Sequence, residues 1–166
     1  MRTPLVLIAA CLVTSIVRSV SVFRALPARM FSHFGPDGHP DGVMTRADFF
    51  MVYSVCCLGT LSLLLVIPVI AHMAPSRVMN VPNREYWLAP ERPERRQQLQ
   101  DKLTLFSRWF AAALAVLFTG LLELVLRANL TNGVTQPSQM HVLVAGFLCA
   151  VIGLSLILFR MFRVPS

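Results

Sequence analysis

Charge is what this sequence has least of. Of its 166 residues only 14% are charged while 55% are hydrophobic, and eight carboxylates stand against fifteen basic side chains. A soluble domain of this length needs more polar surface than that to face water, so the shortage of charge points to a membrane protein. At roughly 20 apolar residues per crossing helix, four crossings would use about half the chain and leave no room for a second domain. The basic surplus of +7 comes with no nucleic-acid reading motif, so it reads as topology charge and not as a nucleic-acid surface. The four cysteines, Cys11, Cys56, Cys57 and Cys149, all lie inside apolar runs. That placement excludes an exposed disulfide framework and makes them small packing residues, with no cofactor implied.

Four apolar runs are present, and together they predict an all-α integral membrane protein of four transmembrane helices. The first, residues 4–23, joins the short run Pro4 to Val17 to a continuation through Arg18, whose guanidinium can reach up to the headgroups while its stem stays in lipid. The string IAAC ending at Cys11 resembles a lipoprotein processing box, but only Pro4 to Ile8 precede it as an apolar core. The second run, 49–71, carries no charge; Thr45 and Asp48 ahead of it match a helix N-terminus, and Pro68 should kink its last turns. The third, 109–126, is bracketed by Arg108 and Arg127. Glu123, the one acid within any run, stands at i to i+4 from Arg127 and is read as half of an interfacial ion pair. In the fourth, 142–159, Ala145, Cys149 and Gly153 form a small-residue stripe. Ala111, Ala112, Ala113, Ala115 and Gly120 make the third helix its expected partner. The triplet Asn129 to Thr131 has the form of a glycosylation acceptor and is read as chance.

An even number of crossings puts both termini on one side, and that side would hold ten basic residues against five. The positive-inside rule therefore predicts cytoplasmic termini in a bacterial inner membrane, an outer loop over 24–46 and an inner loop over 72–108. The outer loop contains two tandem turn units, Gly35-Pro36-Asp37-Gly38 and His39-Pro40-Asp41-Gly42, which favour a folded cap. His33, Asp37, His39 and Asp41 are all ligand types, yet their spacing matches no known metal motif and turn-stabilising bonds are the favoured reading. The inner loop sets Tyr86 and Trp87 at the headgroup level. A cytoplasmic juxtamembrane helix then starts at Pro93, with Leu99, Leu103, Phe106 and Phe110 at helical spacing, and its basic side chains are suited to anionic lipid heads.

Two strings carry a resemblance. Leu26-Pro27, His33-Phe34, Gly38-x-Pro40-Asp41-Gly42 and Thr45-Arg46 resemble the signature of a bacterial membrane family of unknown function. The same domain forms the N-terminal part of the Sdp-type immunity proteins, which protect a cell from a secreted killing factor. Asn83, Tyr86, Trp87, Pro90, Glu91 and Arg92 sit in a stretch similar to that family's PN-x-x-YWLAPER motif. Phe31, Gly35 and Val43 depart from its usual pattern. The resemblance implies a membrane component of the immunity or signalling type.

No serine or cysteine stands near an obvious base, so no catalytic residue is assigned. The expectation is a binding, sensing or accessory protein acting with a membrane-protein partner or a second copy of itself. His33, Phe34, Gly38, Pro40, Asp41 and Gly42 are its candidate ligand or loop-structuring residues. A small transporter or channel subunit is the alternative, and a metal-dependent membrane enzyme the third reading.

Overall fold

The computed structural model describes residues 2–35, 37–131 and 137–163. Helix α1 spans Thr3–Val22, with Pro4 in its first turn, where a missing N–H costs nothing. A hairpin of β1, Arg29–Phe34, and β2, Pro40–Thr45, leads into α2, Arg46–Met73. A single 3-10 turn at Ser76–Val78 and the short α3, Arg84–Trp87, precede α4, Pro93–Leu130. Helix α5, Pro137–Met161, closes the described chain. Thr45 starts α2 as the sequence anticipates: its hydroxyl accepts from Asp48 N at 3.1 Å and donates to the Asp48 carboxylate at 2.6 Å. The expected juxtamembrane helix and third run are one element, the 38-residue α4, about 57 Å long.

Four of these helices are long and apolar enough to cross a membrane. Helix α4 is the hub, and α1, α2 and α5 each pack on it. Ala111, Ala112 and Ala115 are at most 1% exposed; they lie against Ile8 and Cys11 of α1 and Cys57 and Leu61 of α2. Small side chains there let two helices approach the same stretch of α4. This departs from the expected pairing of those alanines with α5. Helix α5 meets α4 through larger groups instead. Leu143 sits where a side chain on Gly120 would reach, within 2.7 Å of a Cβ built there, and the Phe147 ring lies 6.4 Å from that of Phe110. Ala145 and Cys149, the start of the small-residue stripe, face outward. Cys11 and Cys57 are buried packing residues as anticipated, whereas Cys56 and Cys149 are exposed, and all four are free thiols.

Pro68 shows how the bundle handles a helix defect. Proline has no N–H to give the carbonyl four residues back, which leaves Leu64 O without its helical partner. The Ser107 hydroxyl of α4 donates to that carbonyl. Apolar side chains cover the outside of α1, α2 and α5: Val6, Val13, Val20, Val55, Leu63, Val69, Val142 and Phe159 are all exposed. Such an outward-facing apolar surface is stable in a hydrocarbon solvent and costly in water.

Candidate functional site

At one end of the bundle the connection between α1 and α2 folds as an antiparallel hairpin in which Met30 pairs Met44, Phe31 pairs Val43, His33 pairs Gly42 and Phe34 pairs Pro40. Only the first of the two tandem units turns. Gly38 N donates to Gly35 O at 2.9 Å, Gly35 N to His39 O at 2.8 Å, and the Asp37 carboxylate accepts from His39 N at 3.1 Å. Gly38 takes φ 81°, which a Cβ would strain. Pro36 lies outside the described residues. The second unit is drawn out instead, because Pro40 begins β2 and Gly42 lies opposite His33. A Cβ on Gly42 would stand 2.8 Å from His33 Cβ, so the glycine serves close approach between strands and not a turn.

The base of the hairpin is fastened from three directions. Met30 is fully buried and Leu26 and Phe34 nearly so, with Met30 and Leu26 packed against Leu122 and Leu126 of α4. Asn129 acts as a substitute strand: its Oδ1 accepts from Phe31 N at 2.8 Å and its Nδ2 donates to Phe31 O at 2.9 Å. Both ladder groups of one residue are thereby satisfied by one side chain. Arg46 donates to Phe23 O at 2.7 Å and Leu26 O at 2.9 Å and stacks 4.2 Å from the Phe23 ring, which closes the end of α1. At the tip, His33 Nδ1 pairs with the Asp41 carboxylate, and their side chains stay 74% and 53% exposed. Asp37 serves the turn backbone, so His33, Asp37, His39 and Asp41 do not converge. Among the described residues no group of three or more His, Cys, Asp or Glu side chains is placed to hold a metal ion.

Beneath the hairpin a polar seam runs between α1, α2 and α4. The Glu123 carboxylate receives Arg127 Nε at 2.6 Å, the anticipated pair, and also Arg18 Nε at 2.7 Å from α1. Arg18 thus turns its Nε onto a carboxylate of the neighbouring helix, a partner that its expected reach toward headgroups did not include. One helical turn along, Ser15 Oγ lies 3.1 Å from Thr119 Oγ1 and accepts from the Tyr53 hydroxyl at 3.2 Å; Thr119 also donates to Ala115 O at 2.8 Å. Ser15 and Arg18 are three apart on α1, and Thr119 and Glu123 four apart on α4. That matched spacing was the available sequence signal that these groups share an interface.

At the opposite end, the tryptophan stretch forms a clasp. Asn83 adopts left-handed φ 53°, and its Nδ2 donates to Phe162 O at 2.9 Å; Trp87 Nε1 donates to the same carbonyl at 3.2 Å. Trp87 is 1% exposed and packs with Met79, Leu99 and Phe162. It is a core residue of the clasp, which corrects the expected headgroup position. Lys102 donates to Met161 O at 2.8 Å and sits 4.0 Å over the Trp87 ring. Arg96 donates to Ala74 O at 2.6 Å and Gln100 to His72 O at 3.4 Å, closing α2. Arg96 and Lys102, read from sequence as attractors of lipid heads, are turned onto helix carbonyls instead, where a cation meets the negative end of the helix dipole.

No family model, curated protein or solved structure matches this chain.

The exposed half of the same motif, Glu85, Pro90 and Glu91 together with Tyr86, lines an open depression of about 700 Å³ on the outside of the clasp. Chemically, then, the described residues present three things. They are a fixed hairpin with a polar exposed tip, a charged seam between helices, and a clasp whose polar groups are largely spent on backbone carbonyls.

Proposed function

We propose that this chain is a multi-pass protein of the bacterial inner membrane, crossing four times with both termini in the cytoplasm. On this reading the hairpin stands outside and the clasp inside, and the protein works as a binding, sensing or accessory component. The observation that carries the reading is the contrast within the hairpin. Its base is tied down by Asn129, Arg46 and a buried Met30, while His33 and Asp41 at the tip face solvent and hold each other. A rigid platform under exposed polar groups suits recognition, since little ordering entropy is lost on docking. The family resemblance, which rests on the residues quoted for it alone, points to the same immunity or signalling class.

Transport is the second reading, favoured by the Arg18–Glu123–Arg127 seam. One experiment separates the two. A photo-crosslinker at Val43, whose side chain is 49% exposed on β2, is expected to yield a discrete adduct in cells. The double variant H33A/D41A is expected to lose that adduct and E123Q to keep it. Adduct formation indifferent to H33A/D41A overturns the recognition reading, and dependence on Glu123 instead favours transport.

A further inference from the structure

Arg18 and Arg127 both grip Glu123, and both do so through Nε alone. A guanidinium carries five N–H donors, so each arginine keeps its Nη edge, and among the described residues neither Nη edge has an acceptor. The three side chains are partly open, at 36%, 27% and 63% for Arg18, Glu123 and Arg127. Two cations and one carboxylate leave one positive charge in excess, on guanidinium edges that are open beside the apolar helices. A monoanion with several oxygen acceptors could take both guanidinium edges at once. A phosphodiester has that geometry, and it brings a net negative charge where its headgroup carries no cation of its own, as in phosphatidylglycerol but not in phosphatidylcholine.

The surroundings favour a phosphodiester that arrives on a lipid. Arg18 lies four residues, about 6 Å, before the end of α1. A cavity of about 260 Å³ opens between α1 and α4 directly beneath the charges, lined by Thr14, Ser15, Thr119 and Gly120 as well as Arg18 and Glu123. Thr14 is exposed there, and its hydroxyl can donate to an ester carbonyl. We infer that Arg18 and Arg127, oriented by Glu123, form a site for the phosphate of an anionic phospholipid at the hairpin end of the bundle, with the glycerol and upper chain entering the cavity between α1 and α4. This rests on the membrane-spanning reading.

The test uses the full chain. Carbonate-washed membranes first establish insertion: a chain removed by the wash fails the spanning reading itself, separately from the lipid site. Protein extracted in detergent is then titrated with phosphatidylglycerol, phosphatidylcholine or inorganic phosphate, with melting temperature and native mass spectrometry as readouts. Phosphatidylglycerol is expected to raise the melting temperature and to persist as a one-to-one adduct, while phosphatidylcholine and inorganic phosphate do neither. R127Q, a change at a well-exposed side chain, should weaken phosphatidylglycerol about tenfold, as expected for one charged hydrogen-bonding partner. R18K, which keeps the charge but not the fork, should weaken it too, whereas R24Q, which removes a charge from the same end but outside the cluster, should not. Equal weakening by R24Q and R127Q, or equal binding of phosphatidylcholine, overturns the site. An equal shift with inorganic phosphate makes it a free-anion site and overturns the lipid assignment.

Discussion

Basic side chains do most of the fastening in this protein, and they do it at the ends of helices. Arg46 closes α1, Arg96 closes α2 and Lys102 closes α5, each by donating to terminal carbonyls that have no helical partner of their own. Sequence reading counts all three as topology charge because only their positions along the chain are visible; the carbonyls they meet belong to segments between about 20 and 60 residues away. Asn129 is the plainest case. As part of an Asn-Leu-Thr triplet it carries no local information, yet in the fold it completes β1. N129A should free both backbone groups of Phe31 and cost about 1 to 2 kcal/mol, since two part-buried hydrogen bonds are lost. Hydrogen exchange at the Phe31 amide reads this directly. Unchanged protection there would mean the hairpin holds without the clamp.

At the scale of elements, local chemistry and tertiary context divide cleanly. Thr45 and Asp48 set the start of α2, and Pro93 that of α4, because those interactions are closed within a turn. The hairpin was half legible: Gly35 to Gly38 turns as its residues dictate, but the near-identical unit after it is extended, because strand pairing opposite His33 overrides turn preference. Pro68 and Ser107 can be tested together. If the Ser107 hydroxyl replaces the N–H that proline lacks, S107A leaves Leu64 O unpaired and should cost about 1 kcal/mol, the scale measured for hydrogen bonds between helices in lipid. In a P68A background the restored N–H serves Leu64, and the same S107A change should cost little. A double-mutant cycle by thermal melting checks it, and additive losses would show that the two residues act separately.

For the molecule as a whole, α4 gathers α1, α2 and α5, and the two end structures close on it. The hairpin is held by Asn129 near its last turn, and the clasp by Lys102 and Leu99 near its first. The proposed topology places these ends in different compartments. Single cysteines at His39 and Glu91, in a chain whose four native cysteines are replaced by alanine, should label oppositely. An impermeant maleimide is expected to reach the His39 position in intact cells and the Glu91 position only after permeabilisation. Labelling of both from one side would overturn the topology.

Hydropathy along the chain was enough to place four helices, since apolar runs of crossing length are a property of consecutive residues. Which faces meet was not legible. The alanines of α4 receive α1 and α2 instead of α5, Trp87 is buried instead of interfacial, and scattered Ser15, Tyr53, Thr119, Arg18 and Glu123 become one seam. In an apolar solvent nearly every helix face is hydrophobic, so hydrophobicity cannot tell buried from exposed. The choice falls to side-chain size and to the few polar groups that must find partners on other helices, and those partners exist only once the chain has folded.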